Sequence, residues 1–378
     1  MNRSLDPQPQ RSRIGRWFLL FAAVFAALGI AEVVMRIAFH NPYRRELPDH
    51  LIKLAMHHPN TDYTLDRAPV YGPGPAARLR TDSRSYILPS FQHPTPDLTI
   101  AFLGGSTTEC TIVLEPKRFH ALVSERFLAQ GLKVNTLNIA RSANTLQDSL
   151  NVFLNHVILD RPDVVVIMHA ANDIGLLAEG DGYRPRMGRP VRVLDLIKWA
   201  TQMGSRHSYL LAKIRQVASQ SRPPRRLDQP RGRAASMEAP LEPYRQRLIA
   251  FVRMARSFGI APVLMTQPLS TSFNEFTPSW ADRDAQEMFN DTVRQVGVEE
   301  GVMVADLVRY LNENVENWNE PMRIFYDGMH VTDFGSERYA EHIVQQLGQN
   351  AEIGQLLKKR RSRRDGAGHQ GASTVGGD

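Results

Sequence analysis

The sequence LTIAFLGGSTT, from Leu98 to Thr108, decides the fold class of this chain. Its first six residues are almost wholly apolar, which is typical of a strand buried on both faces of a parallel sheet. The run ends directly in Gly104-Gly105-Ser106. A glycine-rich turn that carries a serine at the end of a strand is a common way to present a hydroxyl nucleophile. We therefore predict a buried strand at residues 98–103 with Ser106 at its carboxyl end.

Strand and helix patterns alternate along the rest of the chain. Apolar runs predict further strands at residues 133–138, 163–168, 261–266 and 302–306. Amphipathic patterns predict helices at residues 118–129, 145–158, 241–258, 280–300 and 332–347, the last capped by Thr332 or Asp333. This alternation predicts a parallel sheet covered by helices on both faces. Ligand sites of such sheets lie at the carboxyl ends of the strands, so we expect Ser106, Ala143 and Asn172 to meet at one edge.

Two further polar segments complete a possible site. Asp327-Gly328-Met329-His330 places a carboxylate three positions before an imidazole, and serine, histidine and a carboxylate are the parts of a hydroxyl-nucleophile catalyst. Ala170-Ala171-Asn172-Asp173 follows a predicted strand and is placed to supply an oxyanion donor. Each segment alone is more often a turn or a helix cap. Their joint occurrence beside predicted strands and helices favours a catalytic site made of Ser106, Asp327 and His330.

The composition of the chain excludes several functional classes. The net charge of +7 lies in the ends, because residues 1–16 hold four arginines against one aspartate and residues 358–378 hold six basic residues against two acidic ones. Residues 17–357 are therefore balanced, and no basic face indicates nucleic-acid binding. Cys110 is the sole cysteine, which excludes an internal disulfide and any multi-cysteine metal site. Five histidines before the main domain lack the ligand spacing and carboxylate support of a metal site: His40, His50, His57, His58 and His93.

An apolar stretch at residues 17–39 predicts export of the chain. As an α-helix it would span about 34 Å at ~1.5 Å per residue, enough to cross a bilayer core. Glu32 and Arg36 interrupt it, but they are four apart and can pair on one face. We predict an uncleaved single-pass anchor in the cytoplasmic (inner) membrane, with the basic start inside and the main domain in the periplasm. A cleaved signal peptide is the alternative, because the continuous apolar run Trp17–Ala31 ends in Gly29-Ile30-Ala31, whose small first and last residues suit a cleavage site.

The expected organisation has five parts. Residues 1–16 are a basic cytoplasmic segment, 17–39 the transmembrane anchor, 40–97 a juxtamembrane region, 98–350 the main domain and 351–378 a basic disordered tail. The main domain carries an insertion at about 176–240. Its second half is rich in Arg, Pro, Gln and Ser, which is typical of a loop.

The motifs resemble those of the SGNH hydrolase family, also called GDSL-like esterases, over about residues 98–350. The family's first block matches Gly104-Gly105-Ser106, its third block matches residues 170–173, and its last block matches residues 327–330. The second block corresponds to residues 138–145, where Ala143 stands in the position of the family's usual oxyanion glycine. Alanine keeps the backbone N–H but costs free energy if that position needs a positive φ.

The resemblance implies a three-layer α/β/α sandwich around a parallel sheet of about five strands, similar to flavodoxin and preceded here by one transmembrane helix. It implies Ser106 as nucleophile, His330 as base and Asp327 as its partner. The oxyanion hole would combine the N–H groups of Ser106 and Ala143 with the Asn172 amide. It implies neither a cofactor nor a metal, and its expected partners are an acylated small molecule or glycan and the membrane, with protein partners unknown.

Three functions fit this pattern. The first is a serine ester hydrolase that removes acetyl or another short acyl group, plausibly from an envelope glycan, through an acyl-serine intermediate. The second is an O-acyltransferase that uses the same residues and passes the acyl group to a sugar hydroxyl. The third is a non-catalytic glycan-binding or assembly protein. Intact Ser106, Asp327 and His330 count against the third function, whereas Ala143 and Ala170 leave it open.

Overall fold

The computed structural model describes residues 11–39, 54–178, 182–183, 200–201, 204–205, 207–220, 241–270, 272 and 283–358. These residues belong to two compact units, one drawn from residues 1–53 and 186–227 and the other from residues 54–185 and 228–378. The expectations for residues 1–10 and 40–53, for most of the insertion at 176–240 and for the tail after residue 358 lie outside the described residues. The predicted disordered tail begins too early, because residues 351–358 are helical and the apolar side chain of Ile353 is buried in the core.

The larger unit is built on a parallel sheet. Two short strands, β1 (Asp62–Leu65) and β2 (Ala77–Arg80), pair antiparallel ahead of it. The sheet itself contains β3 (Leu98–Gly104), β4 (Val134–Asn138), β5 (Val164–Met168), β6 (Ala261–Met265) and β7 (Met303–Ala305). The five strands lie in the order β4-β3-β5-β6-β7, which is the flavodoxin-like arrangement. The predicted fold class is therefore confirmed.

Helices of both units have described boundaries, and the longer helices of the larger unit pack on the two faces of the sheet. They are α1 (Arg11–Ala38), α2 (Ala68–Tyr71), α3 (Ser106–Glu109), α4 (Phe119–Ala129), α5 (Leu146–Asn155), α6 (Ala171–Ala178), α7 (Tyr209–Gln220), α8 (Leu241–Ser257), α9 (Arg283–Glu299), α10 (Leu307–Asn314) and α11 (Asp333–Gln349).

Side chains of successive strand residues point to opposite faces, so the sheet has two separate cores. On one face, Ile100 and Phe102 pack in a cluster with side chains of α4, α10 and α11. On the other face, Ala101 and Leu103 pack with side chains of α5, α8 and α9. Because both faces are covered, the central strands are buried along their whole length, which explains their unbroken apolar sequences.

The strands and helices predicted within residues 98–350 lie within three residues of the observed elements at each described end, whereas the short helices α3, α6 and α10 were not predicted. The largest difference is at 145–158, where α5 ends at Asn155 and a 3₁₀ turn at Val157–Asp160 follows. Thr332 is the cap of α11, because its Oγ1 accepts a hydrogen bond from the Gly335 N–H at 3.0 Å.

The smaller unit pairs α1 with α7. Trp17–Ala38 has a mean hydropathy of 2.4 and is long and apolar enough to cross a membrane, although a signal sequence has the same property. Glu32 accepts a hydrogen bond from Arg36 at 3.1 Å. The Glu32 carboxylate also accepts hydrogen bonds from the Ser208 hydroxyl at 2.7 Å and from the Tyr209 and Leu210 N–H groups at 2.9 and 3.1 Å. Glu32 therefore caps the first turn of α7.

Gly335 is required where α11 begins. A Cβ added there would lie 2.2 Å from the carbonyl oxygen of Ile324, a backbone atom that cannot rotate away. We expect Gly335→Ala to destabilise the protein by roughly 1–3 kcal/mol, because the overlap exceeds the gain in helix propensity of about 1 kcal/mol. Gly348→Ala in the same helix is the matched control, since a Cβ there meets no atom within 4 Å. Denaturant unfolding of the two variants checks this, and equal stabilities would contradict it.

Candidate active site

Ser106 lies at the carboxyl end of β3, as the first residue of the short helix α3. It is partly exposed, although the residues on either side of it are buried. The preceding Gly105 permits a close approach, because a Cβ there would lie 2.7 Å from Nδ2 of Asn172 and 3.3 Å from the Asn144 carbonyl oxygen. The strand therefore ends in a backbone that packs against two other site segments and leaves the serine hydroxyl accessible.

The structure brings the three predicted catalytic side chains together. Oγ of Ser106 lies 2.7 Å from Nε2 of His330. Nδ1 of the same imidazole lies 2.6 Å from Oδ2 of Asp327. The second carboxylate oxygen accepts hydrogen bonds from the backbone N–H groups of His330 at 2.9 Å and Met329 at 3.2 Å. Asp327 thus fixes both the ring and the backbone of the loop that carries it.

The electrostatic environment keeps Asp327 ionised. Burial alone would raise the pKa of this carboxyl, but its hydrogen bonds with His330 and Met329 outweigh burial and hold the pKa below its ordinary value. The Tyr326 ring lies against the imidazole, with 5.7 Å between ring centroids and 17° between planes. An ionised partner and a stacked ring together hold the imidazole in one orientation, with Nδ1 toward the carboxylate and Nε2 toward the serine.

The two other predicted oxyanion residues also lie at this edge. Nδ2 of Asn172 donates to the Asn144 carbonyl oxygen at 2.8 Å, which uses one of its two N–H bonds and orients the other. Ala143 lies between Ser142 and Asn144 in a turn closed by a hydrogen bond from the Asn144 N–H to the Arg141 carbonyl at 3.1 Å. Its φ is +67°, so the position has the left-handed backbone that favours glycine.

Buried polar contacts fix the helix that carries Asn172. The Ala171 N–H donates to Oε1 of Gln267 at 3.0 Å. Oδ1 of Asp173 accepts hydrogen bonds from the Leu146 N–H at 2.9 Å and from the Tyr183 hydroxyl. Burial raises the pKa of Asp173 to about 7. These contacts join the first turns of α5 and α6, which set the positions of the Asn144 carbonyl and the Asn172 amide.

Three residues beside the site had no predicted role: Glu109, His57 and Ser142. Glu109 is buried at the end of α3 and contacts both His57 and Ser142. The sequence spacing could have placed Glu109 near the nucleophile, because it follows Ser106 by three residues on the same helical turn. No sequence pattern indicates the contact with His57, which lies 52 residues earlier. No group of three or more His, Cys, Asp or Glu side chains suited to a metal ion lies among the described residues.

Several solved structures resemble this chain at low identity. The lipase/acylhydrolase of Enterococcus faecalis is 18% identical, with a TM-score of 0.42, over 66% of this chain and 95% of its own. An acetylxylan esterase of Geobacillus stearothermophilus is 18% identical, with a TM-score of 0.41, over 68% and 94%. A further acetyl xylan esterase is 14% identical, with a TM-score of 0.42, over 66% and 98%. No curated protein is significantly similar to the chain in sequence.

The sequence profile of the GDSL-like lipase/acylhydrolase family matches residues 102–338, which is well over half of the chain. The matched region begins inside β3 and ends inside α11, so it contains every predicted site residue from Ser106 to His330. The chain therefore belongs to the GDSL-like lipase/acylhydrolase family and is an ester-hydrolysing enzyme.

Proposed function

We propose that this protein is a serine ester hydrolase that cleaves O-acyl esters through an acyl-serine intermediate. The observation that carries the proposal is the continuous hydrogen-bond chain from Ser106 through His330 to Asp327, at 2.7 and 2.6 Å. Family membership supports the reaction class, and this chain of contacts supports the role proposed for each residue.

The first half of the reaction forms the acyl-enzyme. Oγ of Ser106 attacks the ester carbonyl carbon while Nε2 of His330 takes the hydroxyl proton. The Asp327 carboxylate stabilises the imidazolium that results. His330 then donates this proton to the leaving alcohol oxygen as the carbon–oxygen bond breaks. The acyl group remains on Ser106.

The second half of the reaction releases the acid. His330 removes a proton from a water molecule, which attacks the acyl carbonyl, and then returns a proton to Oγ of Ser106 as the second ester bond breaks. In both halves the negative charge develops on the carbonyl oxygen. The Ser106 and Ala143 N–H groups and the free N–H of Asn172 are the proposed donors to that oxygen, and one such donor contributes roughly 2.7–4 kcal/mol in the transition state.

The proposed substrate is an acetyl or other short acyl ester on a glycan of the cell envelope. Two observations support this substrate: the ester chemistry of the family and an N-terminal helix that would hold the domain at a membrane surface. If a sugar hydroxyl instead of water resolves the acyl-enzyme, the same residues catalyse acyl transfer.

The proposed location is the periplasmic side of the inner membrane, with α1 kept as an anchor. The charged residues of the apolar stretch are compatible with an anchor, because the Glu32 carboxylate caps α7 and pairs with Arg36. A charge near the end of a membrane helix is tolerated when it is paired and hydrogen-bonded in this way.

Substitutions in the catalytic triad should have unequal effects. We expect Ser106→Ala to abolish ester hydrolysis and His330→Ala to reduce it nearly as much, because members of one catalytic unit act together. Asp327→Asn should lower kcat by roughly 10³–10⁴-fold with the fold intact, since the imidazole loses its orienting charge. Steady-state hydrolysis of a chromogenic acetyl ester by the wild-type protein and the three variants measures this. Full activity in Ser106→Ala would make the mechanism wrong.

Asn172 gives a separate test of the oxyanion site. We expect Asn172→Ala to lower kcat by ~10²–10³-fold, because the lost N–H bond stabilises only the transition state. Asn155→Ala is a control, since that side chain is exposed and bonds only within its own helix turn, to Asn151. Steady-state kinetics of both variants decides the role, and an unchanged kcat for Asn172→Ala would remove this residue from the oxyanion hole.

The topology can be tested in cells. A reporter enzyme that works only after export, fused after Asp378, should be active because residues 17–38 carry the domain across the membrane. The same fusion lacking residues 1–38 is the control and should be inactive. Activity from a cytoplasm-only reporter would contradict the proposed location. A mature protein that begins near Glu32 would keep export and replace the anchor with a signal peptide.

A further inference from the structure

Glu109 is a buried acidic side chain that the mechanism above does not use. It ends α3, three residues after Ser106, and its side chain is 2% exposed. Nε2 of His57 lies 2.6 Å from Oε1 of this carboxylate. Its other oxygen accepts the Ser142 backbone N–H at 2.7 Å and also the Ser142 hydroxyl. Both oxygens of this buried carboxylate therefore accept hydrogen bonds, and one of them binds Ser142, the residue before Ala143.

The Glu109 carboxylate acts as a charged acceptor. Burial by itself would raise the pKa of Glu109, but the hydrogen bonds from His57 and Ser142 outweigh burial and lower the pKa below its ordinary value. Hydrogen bonds to an ionised acceptor are shorter and stronger than those between neutral groups. The contact with Ser142 is therefore a strong constraint on the backbone.

The backbone beside Ser142 needs such a constraint. Ala143 has φ +67°, a conformation that costs free energy for any residue with a Cβ. Ser142 and Ala143 are exposed, so packing around their side chains contributes little to holding the turn. An unconstrained turn would relax toward negative φ and rotate the Ala143 N–H away from the site.

The segment around His57 holds the same turn from outside. Nδ2 of Asn144 donates to the Ala55 carbonyl oxygen at 2.7 Å, and Nη1 of Arg141 donates to the Met56 carbonyl oxygen at 3.3 Å. Three consecutive residues therefore hold this part of the site: Ala55 and Met56 contact the turn, and His57 contacts Glu109. All three precede residue 102, where the family match begins.

We propose that Glu109 is a positioning residue that, with His57, holds the Ser142–Ala143 peptide in the conformation that aims the Ala143 N–H at the oxyanion. Residues 55–57 are thus part of the active site of this enzyme. The inference rests on the proposed function, because it assigns Ala143 to the oxyanion hole. Glu109 compensates for alanine at a position where glycine would carry no conformational cost.

A double-mutant cycle tests this coupling. We expect Glu109→Gln to lower kcat by roughly 10–10²-fold with little change in KM, because the oxyanion contact forms in the transition state. The same substitution in an Ala143→Gly background should lower kcat only a few-fold, since glycine adopts a positive φ without support from Glu109. Steady-state hydrolysis of a chromogenic acetyl ester by the full-length wild type, the two single variants and the double variant gives the coupling free energy between Glu109 and Ala143.

Two controls separate positioning from general stability and from acid–base chemistry. Asp306→Asn removes a carboxylate just after β7, which β5 and β6 separate from β3. This carboxylate accepts hydrogen bonds from Thr266 at 2.9 Å and from Arg294 at 2.7 Å. It should lower the melting temperature without lowering kcat. His57→Gln keeps an N–H donor and should retain most activity, whereas His57→Ala should resemble Glu109→Gln.

Each outcome decides the inference. An unchanged kcat for Glu109→Gln, or an equal loss in the alanine and glycine backgrounds, overturns it while leaving the ester hydrolase intact. A loss in His57→Gln as large as in His57→Ala also overturns it, because an acid–base role for the imidazole would then replace the positioning role. A wild-type protein without ester hydrolysis overturns the proposed function and the inference together.

Discussion

The hydrogen bond between Nε2 of His330 and Oγ of Ser106, at 2.7 Å, is the interaction on which the rest of the site depends. It joins residues 224 positions apart, so local structure cannot produce it. The parallel sheet fixes the serine at the end of β3. The close packing of Gly335 against Ile324 and the Thr332 cap fix the start of α11, directly after the loop that carries the imidazole. A change in either support moves one partner of this bond.

The oxyanion side of the site is held less directly. Asn172 is positioned by the backbone at Asn144 and by buried polar contacts under α6, which form a rigid support. Ala143 lies in an exposed turn with an unfavourable φ of +67°. A buried carboxylate, Glu109, provides the compensating contact through Ser142. The two donors therefore share the turn at Asn144, which Ala55 contacts from before the family-matched region. Asn172 is also held by the buried contacts under α6, whereas Ala143 is held by Glu109 through Ser142.

Much of this arrangement follows from sequence because the responsible interactions are periodic or local. Apolar runs such as residues 98–103 identify buried strands, and the order of strands and helices leaves few topologies. The three-residue spacing of Asp327 and His330 is itself a local hydrogen-bonded turn. The possible cost of alanine at residue 143 was also predictable from the missing glycine. The contact of His57 with Glu109 was not predictable, because it depends on how residues 55–57 pack on a turn that is distant in sequence.

Trapping with a fluorophosphonate probe followed by peptide mass spectrometry tests the central claim most directly, because it detects an activated serine without knowledge of the substrate. The probe reacts only with a hydroxyl that a neighbouring base has activated. The geometry predicts one phosphonyl adduct on the wild-type protein, located on the peptide that contains Ser106 and absent from Ser106→Ala. A wild-type protein without an adduct, or an adduct on another residue, would contradict the assignment of Ser106 as the nucleophile.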